Sequence, residues 1–150
     1  MRQIIYFDTS ALAKWYLKES ESDAVEKYIQ KHGPVDISDL TVVEMRSLLS
    51  RHRRERNIDT KMETRLFAAF EEDIRQKFLI CHPLPVGITA GAVNLLSVFT
   101  DVSLRTLDAL HLTIAKEIQA EILATADRVM AAGAKAMGFQ VVKFLKADER

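Results

Sequence analysis

A three-layer α/β fold, with a mostly parallel central sheet flanked by helices, is the class this sequence predicts, and three observations predict it. Short apolar runs at residues 4–7, 35–38, 78–81, 120–127 and 140–142 alternate with longer stretches of helical periodicity. The first of these runs is continuous rather than alternating, the pattern of a strand buried on both faces. Two of them end on hydroxyls and a carboxylate, at Asp8-Thr9-Ser10 and at Thr125-Ala126-Asp127.

Taken in order, residues 4–7 form a strand that delivers Asp8 at its carboxyl end, where ligands bind in open α/β sheets. Thr9 and Ser10 are placed to cap a helix over 11–18. Residues 20–23 cap a second helix over 24–31, with Ala24, Val25, Tyr28 and Ile29 as its apolar face, and Gly33-Pro34 ends it. Val35–Ser38 is the second strand. Asp39 or Thr41 then caps a third helix reaching about residue 56, in which Val42, Met45, Leu48, Leu49 and His52 share the core side. Arg46, Arg53 and Arg54 fall on the opposite side, and Glu44 sits at the border near the first turn.

Residues 57–60 are a break with a cap, and 61–77 a helix whose Met62, Leu66, Ala69, Phe70 and Ile74 face inward. These two helices make an arm rich in Arg and Lys. A third strand over 78–81 closes at His82-Pro83-Leu84-Pro85, and Ile88, Ala92, Leu95, Leu96 and Phe99 follow at helical spacing. Residues 101–103 connect to a helix over 104–119 with Leu107, Leu110, Ile114 and Ile118 as its buried stripe. The strand before Asp127, a helix over 129–137 ended by Gly138, and a last strand at 140–142 complete the fold. Residues 146–150 read as a frayed tail.

The 150 residues, 48% hydrophobic, carry no linker-like stretch, which predicts one domain over 1–150. Zero formal net charge means that any anion must be bound by a local patch. Cys81 is the single cysteine, which excludes an internal disulfide and a thiolate zinc site. With no signal-peptide pattern and no apolar run near the ~20 residues of a membrane helix, a cytoplasmic protein without membrane attachment is expected.

Parallel strands present their carboxyl ends on one edge, so Asp8 and Asp127 are expected to approach each other there. Glu44 emerges at the same edge from the second strand, and Asp108 lies within a turn or two of it. Two carboxylates ~4 Å apart repel by ~4 kcal/mol at an effective dielectric near 20, so such a cluster needs cations or protons. Oxygen ligands favour Mg²⁺ or Mn²⁺ over zinc, and such ions promote phosphodiester hydrolysis by water. No protein nucleophile is required.

The ordered set Asp8-Thr9-Ser10-Ala11-Leu12, Glu44, Arg105-Thr106-Leu107-Asp108-Ala109-Leu110-His111-Leu112 and Thr125-Ala126-Asp127 resembles the PIN-domain nucleases, most of all the VapC toxins of toxin–antitoxin pairs. The resemblance implies a three-layer PIN-like fold and a Mg²⁺-dependent endoribonuclease, usually dimeric and inhibited by a VapB-type antitoxin. By similarity, Asp8, Glu44 and Asp108 are the core metal ligands and Asp127 a further acid. Thr125 and Ser10 would orient carboxylates or water. Met130 departs from the pattern, standing where members often carry an aromatic residue.

Plainer readings stand beside these. Asp23, Asp36, Asp59 and Asp101 read as caps and turns, and His111 as a hydrogen-bonded structural histidine. Trp15, Tyr16 and Tyr28 read as core or interface. Arg46, Arg51, Arg53 and Arg54 are candidates for RNA phosphate contact, with antitoxin acids as rival partners. Two other functions remain open: a PIN-like module that binds RNA or protein without cutting, and phosphotransfer through Asp8. The latter expects an acid two residues on, where Ser10 stands.

Overall fold

The computed structural model describes residues 2–149. Strands β1 (Ile5–Phe7), β2 (Val35–Ser38), β3 (Leu79–His82), β4 (Ile122–Thr125) and β5 (Gln140–Lys143) form one sheet in the order β3-β2-β1-β4-β5. All four pairings are parallel. Parallel neighbours require crossover connections, and each one here is helical. Helices α1 (Thr9–Tyr16) and α2 (Ser22–His32) lead to β2, α3 (Asp39–Arg54) and α4 (Thr60–Arg75) to β3, α5 (Ile88–Val98) and α6 (Thr106–Glu117) to β4, and α7 (Arg128–Ala136) to β5.

The period-two alternation of the strands divides the apolar interior between two layers. Ile5, Phe7, Val35, Ile37, Ile122 and Ala124 point to one face, where they meet Leu12, Val25, Ile29, Met45 and Phe70 from α1 to α4. Tyr6 and Leu123 point to the other, against Leu95, Leu112, Ile114, Met130 and Ala134 from α5 to α7. Met130 is 2% exposed and packs in this second layer with Leu112, Leu123 and Ala134.

The chain winds outward from β1 through β2 to β3, then returns to place β4 and β5 on the other side of β1. The strand order therefore reverses between β1 and β4, and the crevice beyond their carboxyl ends is where such sheets bind ligands. Asp8 follows β1 directly, and Asp127 follows β4 after one intervening residue, Ala126.

Several elements differ from the sequence reading, for identifiable reasons. Asp8 itself, rather than Thr9 or Ser10, caps α1 by accepting the Ala11 N–H at 3.0 Å. Ser38 caps α3, its N–H donating to the Thr41 hydroxyl at 3.2 Å, and Glu44 consequently lies in the second turn. Gly33 ends α2 at φ −55°, and what requires a glycine is space: a Cβ there would meet the Ile29 carbonyl oxygen at 2.6 Å. In α4 the inward face is rotated, leaving Met62 and Ala69 exposed and burying Glu63. In α6, Leu107 is exposed, while Asp108 and His111 turn inward. Phe78 is exposed outside β3, which runs on to His82.

Asp36 is not a cap or turn residue. It lies inside β2, fully buried, because four donors satisfy it: two Arg2 guanidinium nitrogens at 2.9 and 2.7 Å, the Ile5 N–H at 2.9 Å, and His82 Nε2 at 2.8 Å. Residues Ala147–Glu149 form a single 3-10 turn in the expected tail, and Arg150 lies outside the described residues. No helix among the described residues is long and apolar enough to cross a membrane.

Candidate active site

At the carboxyl edge of the sheet a pocket of about 490 Å³ is lined by Asp8, Glu44, Asp108 and Asp127, with Thr9, Ser10, Arg105 and His111 among their neighbours. A larger depression of about 700 Å³, between α5, α6 and α7, lies at the opposite edge, where Lys116 and Glu121 are its only charged residues. The smaller pocket holds the convergent polar groups, and it is the candidate site.

Asp8 is the innermost of the four acids, 3% exposed. Its Oδ1 accepts from the Ser10 hydroxyl at 2.7 Å and from the Ala11 N–H, and its Oδ2 accepts from the Thr125 hydroxyl. Burial pushes the Asp8 carboxyl above its ordinary value; His111 and these three donors pull the other way without cancelling it. Thr125 Oγ1 in turn accepts the Asp127 N–H at 3.0 Å, so one hydroxyl couples the ends of β1 and β4.

Glu44 is held from two sides. The Thr9 hydroxyl donates to its Oε1 at 2.7 Å, and His111 Nε2 bonds to the same oxygen. Burial pushes the Glu44 carboxyl up, but the hydrogen bond and charge of His111, with Thr9, outweigh it and leave the group below its ordinary value. An ionised carboxylate only accepts, so Nε2 carries the proton facing it. On the other side of the ring, His111 Nδ1 lies 2.7 Å from the Tyr6 hydroxyl, which also meets Ser38 Oγ at 2.9 Å. Burial raises the Tyr6 phenol well above its ordinary value, so it keeps its proton beside the ring. His111 is thus structural, as expected, but the structure it supports is that of Glu44.

Asp108 and Asp127 share one cation. Arg105 Nε is 3.4 Å from Asp108 and an Arg105 terminal nitrogen is 3.7 Å from Asp127. Asp108 also accepts the Arg105 N–H at 3.0 Å at the start of α6, and Asp127 caps α7 by accepting the Met130 N–H at 2.9 Å. Three of the acids therefore sit at helix N-termini, where the backbone partial charge favours an anion.

The donor set is all oxygen on the acids and hydroxyls, which fits a hard divalent cation such as Mg²⁺ or Mn²⁺. Among the described residues, no three His, Cys, Asp or Glu side chains are placed to hold a metal ion together as they stand. Arg105 and His111 instead supply the compensating partners of Asp108, Asp127 and Glu44, while Asp8, without a cationic partner in direct contact, shows the unfavourable burial.

The arginines assigned to RNA from sequence separate into two groups. Arg46 and Arg53 both pair with Glu63, and Arg46 lies 5.0 Å over the Phe67 ring, so these two are committed to holding α3 on α4 rather than standing free. Arg51 and Arg54 are exposed, and among the described residues Arg54 bonds only the neutral Ser50 hydroxyl, at 2.9 Å. Sequence reasoning did not single out Tyr6, Thr9 as a partner of Glu44, or Arg105 as a partner of two acids. Of these, only Arg105 left a signal, a cation three residues before Asp108 on one helical face.

The family model for the PIN domain matches residues 5–136. The chain is 28% identical over 141 residues to Ribonuclease VapC46 of Mycobacterium tuberculosis (strain ATCC 25618 / H37Rv), covering 92% of this chain and 95% of that one. Among solved structures, Mycobacterium tuberculosis VapC20, a sarcin–ricin loop cleaving toxin, superposes with a TM-score of 0.68 at 17% identity, over 90% of this chain and 95% of that one. VapBC2 from Rickettsia felis, bound to a promoter DNA fragment, gives 0.65 at 13% identity, over 94% and 98%.

Proposed function

The chain belongs to the PIN-domain family, and from that membership we propose that it is a Mg²⁺- or Mn²⁺-dependent endoribonuclease, the cytoplasmic toxin of a VapBC-type pair. One observation carries the reading: four carboxylates line a single pocket at the switch point of a parallel sheet, three of them at helix N-termini. Asp8, Glu44, Asp108 and Asp127 are the groups that would hold the metal. Divalent ions in such a site polarise a phosphoryl oxygen and lower the pKa of a bound water.

The remaining residues prepare that arrangement. Ser10 and Thr125 fix the Asp8 carboxylate, and Thr9 and His111 fix Glu44. Arg105, whose side chain is 72% exposed and whose contacts to Asp108 and Asp127 are long, is free to turn toward a phosphate. Water oxygen bonds to phosphorus as the ester P–O bond breaks, and the departing oxygen is protonated. Arg51 and Arg54, about 10–15 Å beyond Glu44 along α3, are the arm cations available to RNA. A VapB-type antitoxin as inhibitor and a homodimer as the working form complete the proposal.

The test is incubation of the antitoxin-free protein with a structured RNA pool, with Mg²⁺ or Mn²⁺ and with EDTA. Metal-dependent cutting is the expected result. RNA binding without cutting under any metal would favour a non-catalytic module.

A further inference from the structure

Helix α7 separates two surfaces. Asp127 and Met130 line the acid pocket, while the residues that directly follow them, Arg128 and Ala131, line a second groove of about 310 Å³. One residue is a 100° turn of a helix, so the groove begins where the acid pocket ends. Lys135, seven positions after Arg128 and hence on the same stripe, lies about 10 Å further along. The opposite wall is β5, where alternation puts Val141 and Lys143 on the face toward α7. The register pairs Lys143 with Thr125, the residue whose hydroxyl holds Asp8, so this lysine stands at the same sheet edge as the acids.

Arg128, Lys135 and Lys143 are all exposed, and none forms an ion pair with a described residue. Three uncompensated cations in one groove are unusual in a chain of zero net charge, and here they contrast with Arg46 and Arg53, which Glu63 neutralises. Starting from the nuclease reading, on which this step rests, we propose that the groove between α7 and β5 is the path of the RNA strand leaving the acid pocket, with Arg128, Lys143 and Lys135 holding its phosphates. The strand then lies across the open β4–β5 side of the sheet rather than along the α3–α4 arm alone. A phosphate chain matches a line of cations at one edge of the cut site; an apolar peptide would leave the three charges uncompensated.

The test measures binding of a fluorescent single-stranded RNA to the Asp8→Asn chain across a salt series, with and without Arg128→Gln, Lys135→Gln and Lys143→Gln together. The triple change is expected to weaken binding and to lower the slope of log K against log salt by about 2, three contacts at about 0.7 each. Exchanging the charges in kind, Arg128→Lys with Lys135→Arg and Lys143→Arg, is expected to restore the slope, which separates charge from a folding defect. An unchanged slope in the Gln variant would overturn the proposed path while leaving the nuclease reading intact. Absence of RNA binding by the Asp8→Asn parent would overturn the nuclease reading, and this inference with it.

Discussion

The Tyr6 hydroxyl lies 2.7 Å from Nδ1 of His111, and through the far nitrogen of that ring it governs Glu44. A phenol from the middle of β1 thereby sets the orientation of an acid that arrives from α3. Tyr6→Phe leaves His111 Nδ1 and the Ser38 hydroxyl without this partner in a buried place. The expected cost is about 1–2 kcal/mol in urea unfolding, with RNA cleavage reduced about 10–100-fold, as for groups that orient metal ligands. Loss of stability alone, with full cleavage retained, would show that Glu44 needs no such support.

Thr125 serves two strand ends through one oxygen, donating to Asp8 and accepting from the Asp127 N–H. Thr125→Val is isosteric and removes both bonds. Cleavage should fall about 10–100-fold, and Thr125→Ser should recover most of it because the hydroxyl is what matters. Equal defects in the two variants would assign Thr125 to packing instead.

The buried Asp8 carboxyl makes stability fall as it ionises. Its folded value is raised, so between its unfolded value and that raised value the folded state binds more protons than the unfolded one, and stability decreases as pH rises through this window. In EDTA, Asp8→Asn should therefore match or exceed the parent in Tm at neutral pH, since Asn also caps a helix well. The difference should shrink toward low pH, where the parent acid is protonated. A parent more stable than Asp8→Asn at neutral pH would mean that its donors outweigh the burial.

Glu63 holds Arg46 and Arg53 together under the α3–α4 arm. Both arginine side chains are near 40% exposed, at 42% and 38%, so solvent screens the pairs and Glu63→Gln should cost only about 1 kcal/mol in thermal unfolding. It also releases two cations, and RNA binding should become steeper in salt. No change in salt dependence would place the arm away from RNA.

The main lines of the fold were legible because local signals agreed with one another. Short apolar runs marked the strands, and Asp8 and Thr125-Ala126-Asp127 marked the carboxyl ends of two of them. The pocket brings together the four acids that parallel topology alone predicts to share an edge. What escaped the sequence was pairing between distant side chains. Asp36 looks like a turn residue until Arg2 and His82 arrive from 34 and 46 residues away, and Glu63 looks solvated until two arginines cover it. Tyr6 reads as one more apolar strand position, since nothing local reveals that His111 lies opposite its hydroxyl. The rotated face of α4 has the same origin, a buried acid that apolar periodicity cannot register.

We propose that the acids at this switch point hold the cation that cuts RNA. The most direct test is Mn²⁺ binding by calorimetry on the purified chain, on Asp8→Asn and on Asp108→Asn, with the same preparations assayed for RNA cleavage. Both variants are expected to lose Mn²⁺ affinity and cleavage together while unfolding cooperatively like the parent. Cleavage by Asp8→Asn at the parent's rate, with Mn²⁺ still bound, would contradict the proposal.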